Sequence, residues 1–398
     1  MKMKSKKIKF LNLGNQPFAN SFLNKNDLVK KEKKFNLSIC FNSNTKIVSI
    51  NKPFSSKKMF NNKYPYRASM SKTVEQSFKN LSKKIKSNFK PRNILEIGSN
   101  DGSFIKFFDK RKTVGIEPCS NVEKLTKIKG FKTLARYWNN VTANYILKKF
   151  GKFDLIFSAN TISHIKQLDG VLSNIYKVLN DKGTLIIEDP SLLECLKNNA
   201  YDQFYNEHIY VFSLTSINNL LKKNKLEIFD IQNIDLHGGS NRYFIKKIND
   251  KRKIKKSVFK QYSNEKKYGL NNVKTYLEFA KRVKKSKKEL LLIFQNIKSK
   301  GKKIIGYGAT AKSTTVLNYC GINKKFIEYF LDTTPSKQNK YTPGSKILIK
   351  KYNKGIDNDI DYAFLGAWNF KKEIFKKEKN FIKRGGKFII HTPKPKII

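Results

Sequence analysis

Residues 94–103 read Ile94-Leu95-Glu96-Ile97-Gly98-Ser99-Asn100-Asp101-Gly102-Ser103. An apolar run of strand character enters a turn of small residues, and the turn is expected to open a helix. Small residues let a backbone approach a ligand closely, and a helix N-terminus offers unpaired N–H groups. The next strand should end at Gly115-Ile116-Glu117-Pro118. That puts an acidic residue about 20 positions beyond the turn, where a carboxylate can accept both hydroxyls of a ribose. A plain α/β turn without a ligand would have the same outline.

Working outward, strands are expected at Asn93–Gly98, Thr113–Pro118, Phe131–Leu134, Asp154–Ala159 and Thr184–Asp189, with helices between them, such as Gly170–Leu179. This alternation predicts a parallel sheet covered on both faces. Glu227–Ile234 and Arg242–Lys247 would close its far edge. Residues 249–300 read as a Lys-rich helical stretch, with Tyr276, Phe279, Val283 and Leu290 at helical spacing. A second α/β unit follows, with strands at Lys303–Tyr307, Ile327–Leu331, Ala363–Gly366 and Lys387–His391. Its first strand turns into a helix through Gly306-Tyr307-Gly308-Ala309-Thr310-Ala311-Lys312. Residues 1–75 read as an irregular module with short strands at Ser38–Phe41 and Lys46–Ile50. The expected division is 1–75, 76–248 and 249–398.

The turn lacks G-x-G-x-x-G, which argues against a standard nicotinamide dinucleotide site. Its E-x-G-x-x-x-G form is the one used by Rossmann-type enzymes that bind S-adenosylmethionine (SAM). Glu96, Gly98, Ser99, Asn100, Asp101, Gly102 and Glu117 are therefore the candidate cofactor contacts. Ligands of open α/β sheets bind beyond the carboxyl ends of strands. Asn160 and His164, which follow the fourth strand, belong over the same cleft, unless they only cap and pack a helix. After the fifth strand comes Tyr201-Asp202-Gln203-Phe204-Tyr205-Asn206-Glu207-His208. Histidine is the side chain best poised to exchange protons near neutral pH. Three of the four histidines, His164, His208 and His237, fall in this region. His237-Gly238-Gly239-Ser240 is a turn whose glycines admit a ligand or simply close a hairpin.

Composition bounds the alternatives. The chain has 398 residues, 83 of them basic and 30 acidic, for a formal charge of +53. Only eight of the basic residues are Arg, whereas readers of nucleic acid favour Arg for bidentate contacts. Lysines are spread along the whole chain, so a compositional bias explains them better than a nucleic-acid partner. The field would still draw in anionic substrates such as nucleotide sugars. Four scattered cysteines (Cys40, Cys119, Cys195, Cys320) form no CxxC pair, which fits a reducing cytoplasm. The basic start Met1–Lys7 is not followed by an apolar signal core, and no run of about 18 apolar residues suggests a membrane span.

At this point the chain resembles the SAM-dependent sugar C-methyltransferases that act on nucleotide-linked keto-deoxysugars. The resemblance runs through Leu13–Asn20, Tyr66-Arg67-Ala68-Ser69-Met70-Ser71, Glu96–Gly102, Gly115–Pro118, Asn160–His164, Phe204–Leu214 and His237–Ser240. It continues through Gly306–Lys312, Leu317–Gly321, Asp332–Lys337, Pro343-Gly344 and Ala367-Trp368-Asn369. It implies a Rossmann-type class I methyltransferase core, a second C-terminal Rossmann-like domain and a small N-terminal module. It also implies a 4-keto sugar on a nucleoside diphosphate, methylated at the carbon next to the ketone. We expect His208 as general base, Glu207 orienting it, and Tyr205 bonding the sugar or its enolate. His164 and His237 stand in reserve for proton transfer or oxyanion support. Tyr66, Ser69, His237, Gly306 and Lys312 are candidate substrate contacts. The family's N-terminal module holds zinc through two cysteine pairs. Here Cys40 is alone and Ser43 stands where its partner belongs, so zinc is not expected, because a tetrahedral site needs about four N or S ligands. The rival readings are an O- or N-methyltransferase, an inactive scaffold and a nucleic-acid-binding protein.

Overall fold

The computed structural model describes residues 7–398; residues 1–6, most of the basic start, lie outside the described residues. The N-terminal module is more regular than expected. Strands β1 (Lys7–Pro17) and β2 (Lys34–Asn42) form an antiparallel pair, and β3 (Val48–Ile50) extends it. Gly14 and Asn15 break the apolar alternation of β1, so its length was hidden; the ladder passes them through a register shift between Asn12 and Asn15.

The central sheet contains β4 (Ile94–Ile97), β5 (Thr113–Ile116), β6 (Lys132–Leu134), β7 (Phe153–Ala159) and β8 (Leu179–Pro190). The chain then leaves this sheet: β9 (Tyr210–Val211) pairs with β3 of the N-terminal module. It returns as β10 (Leu226–Ile234) and β11 (Ser240–Lys247). The order is β10-β11-β8-β7-β4-β5-β6, with β11 antiparallel to its neighbours. The chain builds outward from β4 through β5 to β6, then restarts on the other side with β7. Strands β4 and β7 therefore flank the switch point, where open α/β sheets bind ligands. Side chains of β4 alternate between the sheet's two faces: Leu95 and Ile97 join one apolar cluster and Ile94 the other.

The third sheet contains β12 (Ile304–Tyr307), β13 (Phe330–Asp332), β14 (Ile349–Lys351), β15 (Tyr362–Leu365), β16 (Lys387–Ile390) and β17 (Lys396–Ile397). Its order is β14-β13-β12-β15-β16-β17, parallel except for β17.

Two expectations need correction. The turn after β4 does not open an α-helix; only a 3-10 turn, Ile105–Phe107, precedes the next short turn at Lys110–Lys112. Phe104 and Ile105 are drawn fully into the core beneath the sheet, which bends the chain away from helical register. The stretch 249–300 is two helices, Lys256–Tyr268 and Val273–Ser299. Gly269 closes the first in the left-handed region (φ 82°), and the Asn272 side chain caps the second through Lys274 N–H.

One apolar core joins the N-terminal module, the segment after β8, the long helix and the last unit. It collects Phe10, Ile39 and Phe41 from the N-terminal sheet and Leu192, Tyr201 and Phe204 from the segment after β8. Tyr276 and Phe279 of the long helix, with Val316 and Phe330 of the last unit, complete it. Burying each such aromatic contributes about 1.5–3 kcal/mol. The octapeptide 201–208 is thus pinned at the junction of three packed bodies rather than exposed on a loop.

Candidate active site

Two cavities meet at this junction. The first, about 330 Å³, opens over the carboxyl ends of β4, β5 and β7. The second, about 310 Å³, lies between the octapeptide and the C-terminal unit. Tyr64, Tyr66, Asn160, His164 and His237 line both.

The first cavity is built on a strained turn. Gly98 has φ +78°, and a Cβ there would stand 2.0 Å from Thr161 Oγ1, so only glycine fits. Asn100, Asn160 and His237 also adopt positive φ (47°, 49° and 55°) and line the cavity. Such conformations are sparsely populated and concentrate at ligand sites. Glu117 accepts the amides of Asn100 (3.0 Å) and Cys119 (2.9 Å). Burial pushes its carboxyl up, and those amides pull it back. Glu96 is raised well above the usual carboxylate range, first by burial and then by Asp101 and Glu117. Its Oε2 and the Ser99 hydroxyl are buried on the cavity wall without a partner. Unpaired buried polar atoms beside a carboxylate at the end of β5 fit a bound ribose and amino-acid moiety, so the residues present suit SAM.

In the second cavity, His208 Nδ1 lies 2.8 Å from the Gln203 carbonyl, and Nε2 lies 2.6 Å from the Tyr205 hydroxyl. A carbonyl only accepts, so Nδ1 carries the proton. Burial, then His164 and Lys312, holds His208 well below its ordinary pKa, and the neutral ring leaves Nε2 as an acceptor. Tyr205 therefore donates to Nε2. His164 stacks on Phe60 (5.5 Å, 7°) and on His208 (5.1 Å, 27°). Burial lowers His164 to about 3, and burial with Lys312 lowers His237 to about 3.

Glu207 does not orient His208. Its Oε1 accepts from Asn20 Nδ2 (2.8 Å) and its Oε2 from the Tyr64 hydroxyl (3.1 Å). Adjacent side chains on this tight turn diverge, and the Gln203 carbonyl takes the orienting place. Burial raises Glu207 to about 7, against the two hydrogen bonds. Four other expected contacts face elsewhere. Asp101 accepts from the Ser69 amide (3.2 Å) and the Ser103 hydroxyl (2.5 Å), which ties the turn to the preceding segment. The Ser69 side chain is exposed, and neither Ser69 nor Gly102 lines a cavity. Gly306 lies inside β12, where a Cβ would meet the Phe330 ring at 2.4 Å; it is a packing glycine, and Gly308 lines the second cavity instead.

Sequence reasoning missed Tyr64, Asn20, Gln203, Asp202 and His391. Asn20 ends the quoted Leu13–Asn20 stretch, which was the signal for it. Asp202 is fully buried; it accepts from Trp368 Nε1 (2.6 Å), and His391 Nε2 lies 3.3 Å away. Burial pushes Asp202 up, but His391, Lys312 and Trp368 outweigh it and hold the carboxyl low. In the N-terminal module, Cys40 Sγ lies 3.6 Å from Asn51 Oδ1. Among the described residues no group of three or more His, Cys, Asp or Glu could hold a metal ion, so the residues do not fit the family's zinc.

A family model described as a methyltransferase domain matches residues 66–231, and one described as a C-methyltransferase C-terminal domain matches residues 235–393. With the strand order, these define a Rossmann-type, SAM-dependent methyltransferase. The C-methyltransferase NovU of Streptomyces niveus is 30% identical over 307 residues, 77% of this chain and 73% of NovU. The chain belongs to this C-methyltransferase family, and it is a SAM-dependent C-methyltransferase. Solved structures that align with part of it include a SAM-dependent methyltransferase from Clostridium acetobutylicum ATCC 824 (16% identity, 45% of this chain and 93% of that one, TM-score 0.35). Another is magnesium protoporphyrin IX methyltransferase from Synechocystis PCC 6803 with bound SAM (11% identity, 43% and 78%, TM-score 0.32). Among the described residues no helix is long and apolar enough to cross a membrane.

Proposed function

We propose that this enzyme methylates a carbon next to the ketone of a nucleotide-linked keto-deoxysugar, through an enolate. The observation that carries the reading is the Tyr205–His208 pair, His208 buried and Tyr205 partly so, on the wall of the second cavity, next to the cleft over β4 and β7. An O- or N-methyltransferase has a nucleophile with its own lone pair. A carbon acquires one only by losing a proton, which calls for a positioned base.

Glu96, Gly98, Ser99, Asn100, Glu117 and Asn160 would hold SAM in the first cavity, which supplies an electrophilic methyl group when bound. The sugar would occupy the second cavity. Tyr205 gives its hydroxyl proton to His208 Nε2 as its oxygen takes the proton from carbon. The Gln203 carbonyl favours this transfer, because it bonds Nδ1–H more strongly once the ring is cationic. His208 is neutral at neutral pH, which leaves Nε2 as an acceptor; the same burial makes its cation costly, and the Gln203 carbonyl works against that cost. Tyr64, Tyr66, His164 and His237, at the shared wall, would keep the two reactants in line and exclude water. NovU is named for methylation at carbon, in keeping with this reading.

The test is product analysis by mass spectrometry and NMR, using SAM with a panel of thymidine- and uridine-diphosphate 4-keto-6-deoxyhexoses. A carbon-bound methyl group next to the ketone is expected. A methyl ether or methylamine would overturn the reading.

A further inference from the structure

Lys312 lies in the first turn of the helix Ala311–Cys320 and is nonetheless buried, 9% exposed. Its Nζ donates to the His237 carbonyl at 2.8 Å and lies 5.5 Å from the Trp368 ring centre. Among the described residues that carbonyl is its only hydrogen-bond acceptor, so two N–H donors remain for the second cavity, which it lines. The cavity's other lysines are held differently. Lys337 donates to the Ala309 carbonyl (2.8 Å) and pairs with Asp332 (3.5 Å), and Lys377 lies 3.6 Å over the Tyr352 ring. Lys337 also lies 5.3 Å from the Phe22 ring centre, and none of these partners is a residue that both cavities share. Lys312 is instead tied to His237, one of the residues both cavities share.

A buried ammonium is expensive to keep without a directly bonded carboxylate. Burial leaves Lys312 below the ordinary lysine value; at longer range Asp202 offsets part of the cost. It is itself fixed by Trp368 and His391, so the network presents the Lys312 charge to the cavity without consuming it. The Lys312 charge is also felt at His208 and His237, which puts it beside the proton-transfer pair rather than remote from it.

Resting on the enolate reading above, we propose that Lys312 is a catalytic residue whose ammonium group binds the enolate oxygen. As the carbon's proton leaves for the Tyr205–His208 pair, the C–H electron pair becomes the C=C bond. The carbonyl π pair moves onto oxygen, where two Lys312 N–H groups meet it. On methyl transfer that oxygen pair reforms C=O, the C=C pair forms the new C–CH₃ bond, and the C–S bond of the donor breaks. Asp202 is a positioning residue for the ammonium.

The experiment measures solvent deuterium exchange next to the ketone of thymidine- or uridine-diphosphate 4-keto-6-deoxyglucose, with demethylated donor (S-adenosylhomocysteine) bound so that no methyl transfer intervenes. Removing one preorganised oxyanion donor costs about 10²–10³ in rate, so Lys312→Met should lose that factor in exchange, with KM and inhibition by free nucleoside diphosphate changed by less than about threefold. Lys312→Arg keeps the charge and should recover exchange to within about tenfold of wild type. Unchanged exchange in Lys312→Met overturns the assignment. So does a rise in KM with the maximal exchange rate intact, which would make Lys312 a diphosphate ligand. Equal loss in both variants also overturns it, because shape rather than charge would then matter. If the wild-type enzyme exchanges no deuterium with either sugar, the enolate reading itself fails, and this assignment with it.

Discussion

His164 allows a test that needs no substrate. The ring is buried, stacked on Phe60 and His208, and its Nε2 has no partner. Burial lowers it from an ordinary 6.5 to about 3. A lowered pKa in the folded state means that below pH 6.5 the unfolded chain binds more protons. The stability that neutral His164 contributes is therefore full above pH 6.5 and is lost as pH falls toward 3. At pH 5 the unfolded histidine is almost fully protonated and the folded one is not; about 1.5 pH units of linkage at about 1.36 kcal/mol each give about 2 kcal/mol. Phe keeps the stack on Phe60 and cannot titrate. His164→Phe should thus lose about 2 kcal/mol less than wild type between pH 8 and pH 5. Urea denaturation at the two pH values, with the midpoint and slope of each curve, gives that difference directly. An identical pH dependence for both proteins would mean that His164 titrates alike in the folded and unfolded chain, and the dry, stacked site would be wrong.

The donor side gives two further outcomes. Gly98→Ala must place a Cβ 2.0 Å from Thr161 Oγ1 at φ +78°; denaturation should show a loss of about 2–5 kcal/mol. Glu117→Ala leaves the Asn100 and Cys119 amides without their acceptor and should weaken S-adenosylhomocysteine binding by at least about tenfold in calorimetry. Unchanged affinity in a folded variant would move the ribose away from β5. Elemental analysis of the purified protein should find zinc far below stoichiometric, since Cys40 faces Asn51 rather than other metal ligands. Stoichiometric zinc that disappears in Cys40→Ser would contradict this.

Much of the first cavity's lining was legible because it is local. Glu96, Gly98 and Glu117 lie at strand ends that hydrophobic patterning reveals, and the switch point follows from strand order. The second Rossmann-like unit was legible for the same reason. What pattern could not reveal was direction. Glu207 and His208 are neighbours in sequence, yet one carboxylate reaches Asn20 and Tyr64 while the ring turns to Gln203 and Tyr205. Asp101 looked like part of the cofactor turn and instead ties that turn to Ser69. Gly306 and Gly308 are two residues apart in one motif, but only Gly308 reaches the cavity; the other makes room for Phe330. Asp202 and His391 are separated by most of the C-terminal half and meet only through packing. Their pairing has no periodicity to betray it.

The central claim is that the Tyr205–His208 pair takes a proton from carbon before the methyl group moves. Its most direct test is NMR detection of deuterium next to the ketone of the sugar substrate in heavy water, with S-adenosylhomocysteine bound. Wild type should exchange. His208→Ala and Tyr205→Phe should each slow exchange by about 10²–10⁴-fold while binding S-adenosylhomocysteine normally. Exchange that survives in His208→Ala but vanishes in His164→Ala would assign the base to His164, and a wild-type enzyme that methylates its substrate without ever exchanging that proton would contradict the enolate mechanism.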